Sequence, residues 1–171
     1  EELRTAAFEE IASNPLMLTM MVSVYISNSY KLISNRSELY EKALRTLMGR
    51  SDKGRAGLEL ESQERLLRYL QKLASASHQR DGDRRIFTAD QATGWATPDG
   101  WGAILEVMRD GRLPIITQLG PNNKDEEEYR FGHMSYQEYL TGQHYYQQLT
   151  ASNFSTKIVT ALFGAQPFNA F

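Results

Sequence analysis

The chain has 171 residues, 41% of them hydrophobic and 23% charged, enough for one ordinary domain or two small ones built around a core, since typical domains run to roughly 100–150 residues. A formal net charge of −2 argues against a protein made chiefly to hold nucleic acid, which carries a basic footprint. No cysteine is present; this excludes disulfides and thiolate metal sites and favours a reducing, cytoplasmic setting, because small secreted domains often lean on disulfides.

Leu3, Ala7, Phe8 and Ile11 follow helical spacing and predict an amphipathic helix over the first dozen residues. Asn14-Pro15 restarts the chain, with Asn14 as N-cap and Pro15 at the first helical position, where its missing N–H costs nothing. The helix that follows, through about Ser27, is apolar on most sides, as centrally buried helices are. Its apolar run is too short to span a bilayer, which takes roughly 20 residues. Met17, Met20 and Met21 read as core filler rather than as an adaptable binding surface.

After a polar turn at 28–34, Asn35 and Glu38 form a capping-box pattern ahead of the stripe Leu39, Ala43, Leu44, Leu47 and Met48. Residues 49–57 are basic, Gly-containing and aperiodic, which marks a connection and a domain boundary. Helical periodicity returns at 59–77, with Leu66, Leu67, Leu70, Leu73 and Ala74 on one face. A polar loop at 78–85 leads to a short helix capped by Thr88 and Gln91, and Thr97-Pro98-Asp99 opens another that ends at Asp110-Gly111. Ile115, Ile116 and Thr117 make 113–119 β-rich; a turn at 120–123 and an acidic run follow, and 129–133 supplies the returning strand. A closing helix is predicted at 135–149 and a further one from 155 to 163. Helices plus a hairpin make the fold mainly α, a helical domain plus a winged-helix domain with a short β-hairpin. Trp95 and Trp101 are expected to pack against the hairpin. With no initiating methionine and a helical pattern already open at Glu1, the chain reads as part of a longer protein.

The most informative stretch is 130–140, Arg-Phe-Gly-His-Met-Ser-Tyr-Gln-Glu-Tyr-Leu. Ser135 suits an N-cap, Glu138 completes a capping box, and Met134 with Tyr139 would form a hydrophobic staple. His133 then sits at the positive end of a helix, where anions bind readily, as either a phosphate sensor or a structural histidine. A phosphate loop ending in Gly-Lys-Ser or Gly-Lys-Thr is missing, and residues 53–57 have the wrong order for one. His78, His133 and His144 lack the clustered spacing of metal ligands. Capping roles for Ser135 and Glu138 leave no catalytic triad. Residues 84–149 carry six basic and nine acidic side chains, a net of −3, which disfavours a DNA-reading winged helix.

Three blocks, Asn14-Pro15-Leu16-Met17-Leu18, then 35–43, then 129–140, resemble in order and spacing the NACHT family of STAND-class signalling NTPases, among them the NOD-like receptors of innate immunity. The resemblance covers roughly residues 1–150. It implies that residues 1–50 end the helical domain after a nucleotide-binding core, that 58–150 form the winged-helix domain, and that 151–171 begin a second helical domain. It places Pro15 beside the adenine and His133 on the β-phosphate of bound ADP. Gly132, Met134 and Tyr136 depart mildly from the family pattern. The Walker segments that would bind most of the ADP or ATP and Mg²⁺ lie outside this chain, so the resemblance implies no catalysis by it, a P-loop NTPase as parent, the upstream core as partner and homo-oligomerisation on activation. The implied mechanism is a switch held closed by ADP. One charge-assisted hydrogen bond is worth about 1.5–3 kcal/mol, whereas moving a two-state equilibrium from about 1:99 to 99:1 takes about 5.5 kcal/mol. His133 would therefore be a latch, with interdomain packing carrying the rest. Two other readings are a winged-helix nucleic-acid binder and a structural protein-interaction module with His133 buried.

Overall fold

A computed structural model describes residues 15–27, 29, 36–49, 58–111, 113 and 115–151. Helix α1 spans Pro15–Ser27 and opens on the proline, as its pre-set φ favours. The expected caps Asn14 and Asn35, the helix before Asn14, the 50–57 connection and the 155–163 helix lie outside the described residues. The expectation that α1 is buried on most sides is corrected. Met20 and Val24 are buried, but Leu18, Val22 and Ile26, spaced four apart on another face, are exposed; among the described residues the main packing partner of α1 is the helix α2 (Arg36–Gly49). That helix buries Leu39, Ala43, Leu44 and Met48 as its spacing predicts, and Tyr40 with them. Of the three methionines, Met20 is core and Met21 packs partly against it.

Helix α3 (Leu60–His78) buries all five residues of the expected stripe, together with the polar Gln71, Ser75 and Ser77. Its most extensive contact is with the closing helix α6 (Met134–Ala151). Between them come β1 (Ile86–Thr88), α4 (Ala89–Ala96), α5 (Pro98–Arg109), β2 (Ile116–Pro121) and β3 (Glu127–Phe131). The protein is mainly helical with a small antiparallel sheet in the order β1-β3-β2. Strand β1 is an addition to the expected hairpin: three residues are too few for the period-2 pattern that marks a strand in sequence. It pairs Phe87 with Tyr129, and β2 pairs Ile116 with Phe131.

The expected capping box at α4 is present. Gln91 N donates to Thr88 Oγ1 at 3.3 Å, and Thr88 N donates to Gln91 Oε1 at 3.0 Å. Thr97, at φ +69°, caps α5 by accepting from Gly100 N at 3.3 Å. A Cβ on Gly100 would lie 2.6 Å from Tyr69 Cδ1, so only glycine lets α5 approach α3 this closely. The hairpin turn falls later than 120–123. Gly120, at φ +97°, and Pro121 still pair in β2 beyond a bulge, and the tip is built by Asn122, whose Oδ1 accepts from Lys124 N at 2.8 Å and Glu126 N at 3.1 Å. Trp101 packs edge-on to Tyr129 of β3 at 4.8 Å, as expected of it, and Phe87 gathers Trp95, Trp101, Tyr129 and Phe131 around itself, so that the ring contact of Trp95 is with β1 and not with the expected hairpin.

Candidate functional site

The 130–140 block forms the junction between β3 and α6. Phe131 ends the strand, with its N–H on Arg85 O at 3.0 Å, and Gly132 N donates to Ile115 O at 2.8 Å. Only His133 separates this pair of backbone ties from the helix, and it is exposed. The helix opens at Met134, one residue before the expected cap, so Ser135 stands inside the first turn and no bond between Ser135 and Glu138 closes a box among the described residues. The staple is not formed as a buried contact either, because Met134 is 44% exposed and Tyr139 stacks on Tyr40 at 5.2 Å.

What fixes the start of α6 is its inward face. Tyr136, Gln137 and Leu140 are all buried. Gln137 Nε2 donates to Arg84 O at 2.6 Å, and the Ser77 hydroxyl donates to the same carbonyl. One backbone oxygen just ahead of β1 thus ties α3, the sheet and α6 together. Tyr136 meets Tyr40 edge-on at 5.5 Å. Burial holds the Tyr136 phenol well above its ordinary range, with Tyr40 adding to the effect; burial, then Glu41, pushes Tyr139 up to about 12, against Arg45. A docked inner face leaves the preceding residue facing solvent. A structural histidine would need the opposite arrangement, a ring turned inward.

The surroundings of His133 favour an anion. The N-terminus of an 18-residue helix carries roughly half a positive charge. Arg84 and Arg85 end the segment hydrogen-bonded beside Phe131, and Arg130 lies three residues back on β3. The nearby carboxylate, Asp83, is engaged: its Oδ1 accepts from Arg85 N at 3.0 Å and meets Arg85 Nε at 3.3 Å. Those bonds to Arg85, backbone first, hold the Asp83 carboxyl below its usual range. The sequence assigns Arg84 and Arg85 to the polar loop at 78–85 and gives Gln137 no role; the pairing of the unforeseen β1 with β3 brings those two arginines to the junction, where the returning strand already places Arg130.

Comparison with family models, curated proteins and solved structures gives one result. None matches the chain.

Pro15 is exposed at the start of α1; among the described residues α1 packs mainly on α2, and α6 mainly on α3 with a smaller contact to α2. The three histidines occupy the end of α3, the junction and the middle of α6, and among the described residues no three metal-ligating side chains cluster. No helix of the described residues is long and apolar enough to cross a membrane. On the face a winged helix would offer to DNA, Asp99 and Glu106 of α5 are exposed beside Arg109, and the hairpin tip exposes Asp125, Glu126 and Glu127. Such a surface repels a phosphate backbone.

Proposed function

We propose that the chain is a regulatory segment of a NACHT-type signalling NTPase, closing over ADP or ATP held mainly by an upstream nucleotide-binding core and controlling a nucleotide-dependent oligomerisation switch. The observation that carries this reading is the exposed His133 at the start of α6, with Arg84 and Arg85 in the turn ahead of β1 and Arg130 on β3. The imidazole would donate to the β-phosphate, Pro15 would border the adenine from α1, and Mg²⁺ would belong to the core. The chain itself would perform no hydrolysis.

The test is made in the full-length parent. His133→Ala removes one charge-assisted hydrogen bond, so ADP affinity is expected to fall about tenfold to a hundredfold. Nucleotide retained through purification, quantified after denaturation, should drop, and spontaneous oligomers should rise on light scattering. Unchanged ADP content with unchanged assembly would remove the latch from His133. A nucleic-acid role has no support from the acidic face of α5 and the hairpin, and salt-dependent duplex binding is expected to be absent.

A further inference from the structure

Helix α1 carries no charged side chain, yet only one of its apolar faces is packed among the described residues. Met20 and Val24 are buried, while Leu18, Val22 and Ile26 form a second row, 46%, 51% and 59% exposed, with Tyr25 at its flank. The row repeats every four residues, the spacing of the ridges by which two helices interdigitate. A helix that is apolar on opposite sides belongs between two layers, and α2 supplies one of them.

The sequence just ahead of α1 carries a matching row. Residues 1–13 lie outside the described residues; on helical spacing their pattern sets Leu3, Ala7 and Ile11 on one side, with Phe8 beside them and Glu2, Thr5 and Glu9 on the other. A chain that reverses at Asn14-Pro15 brings Ile11 to Leu18, Ala7 to Val22 and Leu3 to Ile26. All three pairs share one register, and its midpoint falls between Asn14 and Pro15. Ser13 and Asn14 are left for the connection, within the range of about two to five residues that joins antiparallel helices. Residues 1–12 as a helix would reach about 18 Å and α1 about 20 Å, so the lengths agree. So short a tether holds the segment at an effective concentration in the millimolar range, which places it ahead of any separate molecule. We propose that residues 1–12 fold back antiparallel to α1 and cover Leu18, Val22 and Ile26. The occupant of this face is a segment of the chain itself. This inference does not depend on the nucleotide reading.

The experiment uses the whole chain, which has no cysteine of its own, so that two introduced thiols are the only ones present. One variant carries Ala7→Cys with Val22→Cys, a pair in register; the control carries Glu9→Cys with Val22→Cys, close in sequence but on the opposite side of the segment. Under mild oxidation the first pair is expected to close within one chain roughly tenfold faster than the second, because Cα atoms more than about 7 Å apart cannot be bridged without backbone movement. Non-reducing gels and intact mass separate closure within a chain from closure between chains. Adding Ile26→Asp, at an exposed position that leaves the buried face of α1 intact, is expected to bring the first rate down to that of the control. Disulfides formed only between chains would assign the face to a second copy and overturn the proposal. Equal rates for the two pairs, no closure of the first, or a preference that survives Ile26→Asp would each overturn it as well, the last because apolar contact would then not be what holds the segment.

Discussion

The sheet side and the α2–α6 side of this protein are packed by opposite means. Around Phe87, four aromatic rings lie with centroids 5.7–6.3 Å away, and the surrounding core is apolar. At the α2–α3–α6 joint, Tyr40, Tyr136 and Tyr139 form the aromatic contacts, but Tyr40 Oη, Gln137 Oε1 and Thr141 Oγ1 are buried there without hydrogen-bond partners among the described residues. Each orphaned group costs about 1–3 kcal/mol. The first region is built to hold the fold. The second keeps polar groups at a cost to stability, and it is the region that positions α6, and with it His133.

That contrast is broken most directly by Phe87→Ala. Phe87 is 1% exposed at the centre of the ring cluster, and emptying such a site costs about 3–5 kcal/mol. Urea denaturation should show a loss of that order; one below about 1 kcal/mol would mean that the sheet side is not the stability centre. Gly100→Ala comes next. The added methyl meets the Tyr69 ring at 2.6 Å, an overpacking worth about 1–3 kcal/mol, and Tyr69→Ala in the same chain should return part of the loss. If the two effects simply add, the clash is not the cause.

Alkaline pH separates the regions by titration. Tyr139 is pushed from 10.0 to about 12 in the folded chain, first by burial, so the native state keeps a proton that the unfolded chain loses. The stability this gives is fully present below pH 10 and is lost as pH rises towards about 12. Tyr136 shifts in the same direction, as does Tyr129 on the sheet side, through burial and then Glu127. Denaturation midpoints should therefore fall above pH 10. Tyr139→Phe combined with Tyr136→Phe should flatten that fall more than Tyr129→Phe does. An equal effect of all three substitutions would erase the distinction between joint and sheet.

Most helices of this fold were legible in the sequence because they carry long periodic stripes and explicit caps. Pro15, Thr88 with Gln91, and Thr97 with Pro98 start helices where their chemistry requires. Strand β1 was not legible, since Ile86-Phe87-Thr88 is too short to alternate and owes its form to pairing with β3. The hairpin turn was misplaced because Gly120-Pro121 has turn composition, while the bonds that close the tip come from Asn122. At the candidate site, the position of His133 before a helix was readable and the origin of its placement was not. Ser135 and Glu138 match a capping pattern locally, yet a start at Met134 puts both past the cap. Gln137, one position away, is the residue tied across the chain to Arg84. A contact of that sequence separation leaves no local signal.

Gln137 is also where the comparison is sharpened by the smallest change. Gln137→Met keeps the volume of the side chain nearly constant and alters two polar terms of opposite sign. The hydrogen bond to Arg84 O is lost, a net cost of about 0.5–1.5 kcal/mol, while the orphaned Oε1 disappears, a gain of about 1–3 kcal/mol. Arg84 O is not left bare, because the Ser77 hydroxyl still donates to it. The expected result is a change within about 1 kcal/mol, towards greater stability. Adding Ser77→Ala removes the second donor and should then cost about 1–3 kcal/mol, the penalty of a buried carbonyl with no partner. If Gln137→Met alone costs that much, the amide is holding the joint together, and the polar groups there serve stability as the rings around Phe87 do. If it does not, Gln137 acts by orientation: it selects the register in which α6 meets the turn ahead of β1, and so decides which way the residue ahead of the helix, His133, must face.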